Sequence, residues 1–445
     1  MKKLFALLLT LAMVLSLAAC GGGKTEEKPA DTSAPATETP AATGKVYYLN
    51  FKPEADQAWQ ELAKTYTAQT GVEVKVVTAA SGEYNTTLTA EMGKSEAPTL
   101  FQCGNAQALL DWGDYCMDLS GTKVLDEMTT GDFNLVEDGA VKAIGYCYEA
   151  FGIIVNKALL KEAGYELSDI TNFETLKAVA EDIHARSGEL GFDAFSSSGL
   201  DGSSSWRFSG HLANMPLYYE FRDDGVTEQP ATITGAYLDN YRAIWDLYID
   251  NASASKSSLT TATGDMSSGE FKEGKAVFYQ NGTWEYANLT GADKFGLDPA
   301  NIAMIPIYCG VEGEENAALC SGTENCWAVN SKASAEDIQA SLDFLYWLVT
   351  DAEASAVLVE QLGAVPFKSC PESSNKFIVD GNKLLSEGKY AVTWAFNYTP
   401  NVDSFRATLV TAMAAYSADP TDANWEQVVS AFVDGWAIEY QTVNG

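Results

Sequence analysis

The sequence predicts an α/β protein of two lobes, and three observations carry that expectation. Strand-like and helix-like segments alternate from Lys45 onward, the pattern of sheets covered by helices. About 400 residues follow a leader and a polar stretch, too many for one small core. Hydrophobic residues make up 46% of the chain, which suits a globular body.

The leader comes first. Lys2 and Lys3 precede an apolar run from Leu4 to Leu17, shorter than the roughly 20 residues a spanning helix needs. Charged, apolar and small-residue parts follow one another as in an export signal. The run ends in "LAAC" and three glycines, which resembles a bacterial lipobox. That resemblance implies that residues 1–20 are signal peptide and lipobox, and that Cys20 is lipidated and heads the mature chain. The anchor is then the lipid. Residues 21–44 are Gly, Thr, Glu, Pro, Ala and Ser without apolar periodicity, too polar to offset the entropy of ordering. They are expected to form a flexible tether.

"KVYYLNF" (Lys45 to Phe51) is the first expected strand. Trp59, Leu62, Ala63 and Tyr66 then fall on one helical face, and Gly71 is the residue that ends the helix. Val72 to Thr78 is a strand, Tyr84 to Ser95 a helix, and Thr99 to Cys103 a third strand. Ligands of such sheets bind beyond the carboxyl ends of the strands, here Phe51 to Glu54, Ala80 to Tyr84, and Gln102 to Gln107. A second α/β stretch runs from Phe151 to Ile307 and holds the loop "SSSGLDGSSSW". "GTENCWAVN" (Gly322 to Asn330) reads as another strand. Ser334 starts a helix, with Asp337 as a capping-box partner. Helical segments are expected at Tyr390 to Tyr416 and at Trp425 to Tyr440.

Charge and cysteines narrow the chemistry. The formal net charge is -33, from 61 acidic and 28 basic residues, which argues against nucleic acid. It argues equally against an anionic ligand held in a basic cleft, leaving a neutral or cationic one. Besides Cys20 there are seven cysteines, an odd number, so at least one thiol is free. One or two disulfides are allowed outside the membrane, and the sequence does not pair them. Without Cys-x-x-Cys and with only His184 and His211, a zinc site built from Cys and His is not expected; no cofactor is expected, and the sequence does not decide on a structural metal.

Two enzyme motifs fail. "GEFKEGKA" (Gly269 to Ala276) comes close to a phosphate-binding loop, but Ala276 replaces the magnesium-holding Ser or Thr, and a strand follows instead of a helix. Neither histidine has a nucleophile-elbow partner for a triad. A carboxylate-pair glycosidase stays open as the alternative, because spacing between acids is invisible in sequence.

Aromatic supply is the positive signal, with ten Trp and 21 Tyr. Tyr84, Tyr146, Tyr148, Trp206, Trp284, Trp394 and Tyr398 sit next to turn residues where loops meet strands. Each is either core packing or a face for a sugar ring, with polar groups alongside. Trp284 follows the turn of "YQNGTWEYAN" and poses that choice most sharply.

Three strings in order, "EAFGIIVNK" (Glu149 to Lys157), "GKAVFYQNGTW" (Gly274 to Trp284) and "LGAVPFKS" (Leu362 to Ser369), resemble the extracellular solute-binding proteins of sugar ABC transporters, family 1, the branch of maltose-binding protein. The resemblance implies a two-lobed, type II periplasmic-binding-protein-like fold with a hinge crossed several times. Lobe 1 would be residues 45–148 plus 322–366, and lobe 2 residues 149–321 plus 367–445. It implies that Trp284 stacks on a sugar, that Glu149 accepts sugar hydroxyls at the first crossing, and that Trp206 is an aromatic from the second lobe. After the third strand this chain has "QCGNAQ" where the family has charged ligand residues, so Gln102 and Asn105 would make neutral hydrogen bonds. Tyr84, Tyr148, Trp394 and Tyr398 enter the expected site by position. The implied protein is not an enzyme. It is a monomeric receptor, lipid-anchored on the outer face of the cell membrane, that captures a carbohydrate, expected to be an oligosaccharide, and passes it to ABC permease subunits. Lobe closure over the ligand would be a population shift.

Overall fold

The computed structural model describes residues 44–292 and 294–445. The expected signal peptide, Cys20 and most of the tether lie outside the described residues.

Twelve strands form two six-stranded sheets. In chain order they are β1 (Lys45–Asn50), β2 (Glu73–Thr78), β3 (Leu100–Gln102), β4 (Leu135–Glu137), β5 (Ala140–Gly145), β6 (Glu149–Asn156), β7 (Asp193–Phe195), β8 (Ala276–Gly282), β9 (Ile302–Ile305), β10 (Ala317–Gly322), β11 (Cys326–Val329) and β12 (Tyr390–Thr393). The first sheet runs β2-β1-β3-β11-β5-β4 and the second β12-β10-β6-β8-β7, with β9 also paired to β6. β1 is parallel to β2 and β3, whereas β11 is antiparallel to both of its neighbours.

Both faces of the first sheet are covered at its centre, where β1, β3 and β11 are buried almost throughout, whereas β2 and β4 at the edges are partly exposed. Val46, Tyr48 and Leu100 enter one core with Trp59, Leu62 and Tyr66 of the helix Asp56–Thr70. Leu49 and Phe101 enter a second core with Tyr84 and Leu88 on the opposite face. Gly71 ends the first helix at φ 78°, the left-handed conformation that favours glycine. Ser334 caps the helix Ala335–Thr350 by accepting from the Asp337 amide. The Asp337 carboxylate accepts from the Lys45 amide; no reciprocal capping box forms. In the second sheet Phe151, Ile153 and Val155 of β6 face one core, and Ala150 and Ile154 face another.

Two sequence expectations need correction, and the open question of disulfides is answered. Tyr390–Thr393 is an edge strand, and the helix expected there starts only at Val402. Its four residues, set between a polar turn and the short helix Ala395–Tyr398, are too few to show a period. The helix from Tyr84 ends at Met92, where Gly93 and Lys94 turn the chain. All seven cysteines from Cys103 to Cys370 are free thiols, six of them buried; they serve as small apolar core residues.

The chain passes from the first sheet to the second between Gly145 and Glu149, and returns between Gly322 and Cys326. These crossings are bonded together. The Thr323 hydroxyl donates to the Cys147 carbonyl at 2.6 Å, and the Tyr146 amide donates to the Asn325 carbonyl at 2.9 Å.

Candidate functional site

A cavity of about 590 Å³ opens between the two sheets, within the size range of ligand pockets. The carboxyl ends of β1, β2 and β3 supply one wall, through Phe51–Glu54, Ala80–Gly82 and Gln102–Asn105. β6, β8 and the segments around Trp206 and Trp394 supply the other.

Trp284 stands at the end of β8. A Cβ built on Gly282 would lie 2.1 Å from the Trp284 ring, so the indole lies flat across a position only glycine can hold. Thr283 fixes this turn: its amide donates to the Ala150 carbonyl at 2.8 Å, and its carbonyl accepts from Asn375 at 2.8 Å. The indole is half-buried and faces the cavity. Trp206 lies 6.1 Å from it and His211 5.3 Å, ring centre to ring centre. His211 in turn stacks on Phe151 at 4.0 Å. Burial, then the charges of Arg406 and Arg207, hold the His211 pKa well below its usual value, so the ring is a neutral aromatic wall.

Glu149 is buried, not a solvated loop carboxylate. One oxygen accepts from Lys52 Nζ at 2.7 Å and the other from Asn325 at 2.7 Å. Burial opposes the Lys52 charge, but Glu149 and Glu54 outweigh it and raise its pKa. Lys52 also lies 5.8 Å from the Trp284 ring centre, within cation–π range.

The remaining expected residues divide. Tyr84 lines the cavity, but its hydroxyl accepts from the Gln102 amide at 2.7 Å. Gln102 lines it too, and its side-chain oxygen accepts from the Tyr146 hydroxyl at 3.4 Å. Asn105 reaches the cavity while capping the helix Ala106–Trp112. Trp394 presents a face there, and its indole N–H donates to the Cys320 carbonyl at 3.0 Å. Tyr148 and Tyr398 lie outside the cavity lining. Tyr148 stacks on Phe133 at 5.3 Å, and Tyr398 packs on Phe221 while donating to the Thr227 carbonyl.

Sequence reasoning passed over several residues that line the cavity: Lys52, Arg207, Glu285, Glu324 and Arg406. The serine-rich loop has a definite task, because Arg207 donates to the Ser204 and Ser267 hydroxyls and the Gln280 carbonyl. Lys52 was findable, as it lies within the first strand-end segment. Arg207 and Glu285 directly follow Trp206 and Trp284, and that adjacency was their signal; Glu324 and Arg406 converge from distant positions. The near-miss phosphate loop runs the wrong way: the helix Gly264–Lys272 precedes β8, and Lys275 is exposed.

Residues 61–377 match the family model of the bacterial extracellular solute-binding protein. No curated protein matches the sequence. Among solved structures, RafE in complex with raffinose is 15% identical with a TM-score of 0.71, over 89% of this chain and 100% of that one. The GacH receptor of Streptomyces glaucescens, solved unliganded and with acarbose, is 21% identical with a TM-score of 0.67, over 90% and 99%. Maltose-bound MalE3 of T. maritima is 16% identical with a TM-score of 0.66, over 90% and 99%. At these identities the likeness establishes the fold, two sheets flanked by helices.

Proposed function

The chain belongs to the bacterial extracellular solute-binding protein family, and from that premise we propose that it captures a carbohydrate outside the cell and delivers it to an ABC importer. The observation that carries this reading is Trp284, held flat by Gly282 at the edge of the inter-sheet cavity with Trp206 and His211 beside it. Aromatic faces pack against the C–H faces of a sugar, while buried amides and carboxylates take its hydroxyls. Glu149, Gln102 and Asn105 are the polar contacts in this reading, and Trp394 adds apolar surface. Tyr148 and Tyr398 are support for the wall. The two sheets with their helices are the two lobes, and Cys20 carries the lipid that keeps the receptor at the membrane. The chemistry is binding, with no bond made or broken in the saccharide.

A thermal-shift screen with mono- and oligosaccharides tests the reading, because a ligand of the folded state raises its melting temperature. A saccharide that shifts melting and is recovered intact is the expected result. Hydrolysis of the saccharide would replace the receptor reading with a glycosidase.

A further inference from the structure

Seven carboxylates line the cavity against three cations, Lys52, Arg207 and Arg406. Two of the cations are engaged: Lys52 by Glu149 and Glu54, Arg207 by serine hydroxyls and a carbonyl. The wall therefore has an excess of negative charge.

Unsatisfied groups point the same way. Among the described residues, three buried acceptor oxygens of the cavity lining lack a hydrogen-bond partner: Glu285 Oε2, Asn325 Oδ1 and Gln107 Oε1. Asn325 is 1% exposed and Gln107 6%. Only one lining donor, Arg406 Nε, is in the same position. Buried polar groups without partners are costly, so a ligand that fits brings donors. Glu285 directly follows Trp284, and Glu54 and Asp265 line the same cavity. Burial pushes the Glu285 carboxyl up to about 7, Glu54 adding to this and Arg207 opposing it. A bound cation would reverse that cost by pairing with the carboxylate.

We propose that Glu285, with Glu54 and Asp265 in the same cavity, forms a subsite for a basic nitrogen on the bound saccharide, so that the receptor selects amine-bearing sugars over their neutral counterparts. The inference rests on the carbohydrate reading above. The protonated nitrogen donates to Glu285 Oε2, a charge-assisted hydrogen bond. Its positive charge also meets the faces of Trp284 and Trp206, a cation–π arrangement. An anionic sugar is rejected by the same carboxylates.

The test is titration calorimetry at pH 6.5 with glucosamine, galactosamine and the glucosamine trisaccharide. Each is compared with its hydroxyl or N-acetyl counterpart, and raffinose, maltotriose and xylotriose are measured alongside. At least one amine-bearing member should bind ten-fold or more tightly than its counterpart, and Glu285→Gln, shown folded by its melting curve, should collapse that ratio toward one. Neutral saccharides that bind while no amine counterpart binds more tightly would overturn the subsite and leave the carbohydrate reading standing. A ratio unchanged in Glu285→Gln would also overturn it. Absence of binding by every saccharide would overturn the carbohydrate reading itself, and the subsite with it.

Discussion

Lys52 Nζ lies 2.7 Å from Glu149 Oε1, and this buried pair ties the end of β1 in one sheet to the start of β6 in the other. Both side chains are 4% exposed. Removing one partner of a buried pair costs about 3–5 kcal/mol, the lower end applying here because Glu54 still lies 3.1 Å from Lys52 Nζ. Glu149→Ala is therefore expected to lower unfolding stability by about 3 kcal/mol, read from denaturant melts. A loss below about 1 kcal/mol would mean that Glu54 alone suffices to hold the Lys52 charge.

The glycine beneath the indole gives a second prediction. A methyl group on Gly282 would collide with the Trp284 ring at 2.1 Å, and the ring must swing away. Gly282→Ala should alter the near-ultraviolet dichroism of tryptophan and weaken saccharide binding about ten-fold or more, roughly 1.4 kcal/mol. An unchanged spectrum with unchanged affinity would contradict the stacked geometry.

Glu285 predicts a pH dependence. Its carboxyl is raised from 4.5 to about 7 in the folded protein, chiefly by burial, and Glu54, Arg207, Asn288 and Asp265 face it. Between these values the folded state keeps a proton that the unfolded state releases, so stability falls as pH rises. The contribution is complete below about pH 4.5 and lost above about pH 7. Glu324, raised by burial against the opposing charge of Arg406, acts in the same direction. Melting temperature should thus fall less steeply from pH 5 to 7 in Glu285→Gln than in the parent. Parallel curves for the two proteins would rule this out.

At the cavity rim, Asn85 of the first sheet's helix Tyr84–Met92 donates to Asp403 at 2.8 Å across the opening. Both are exposed. Asn85→Ala should leave stability within about 0.5 kcal/mol but cost about 1 kcal/mol of apparent saccharide affinity, with a larger radius of gyration in small-angle scattering. Equal radii and affinities would show that this bond does not hold the rim.

The sequence showed the strands of the first sheet's leading half clearly, because β1, β2 and β3 alternate with helices along the chain. It hid β12, whose four residues gain strand character only from pairing with β10. Within the candidate site, the strand-end segments contain Gln102 and Asn105, which line the cavity, and the turn glycine marks Trp284, which lines it too. Tyr148 and Tyr398 share the turn context of Trp284 yet face Phe133 and Phe221, since adjacency to a turn does not decide which way a ring points. Glu324 and Arg406 reach the cavity only through tertiary packing. No spacing in the chain announces that.

The most direct test of carbohydrate capture at the inter-sheet cavity is a calorimetric titration of the parent and Trp284→Ala with the saccharide that most raises melting temperature. The parent should bind saturably at one site, and Trp284→Ala should lose about 2 kcal/mol or more while melting as a folded protein. Equal affinity in the two proteins, or no saccharide that binds the parent, would contradict it.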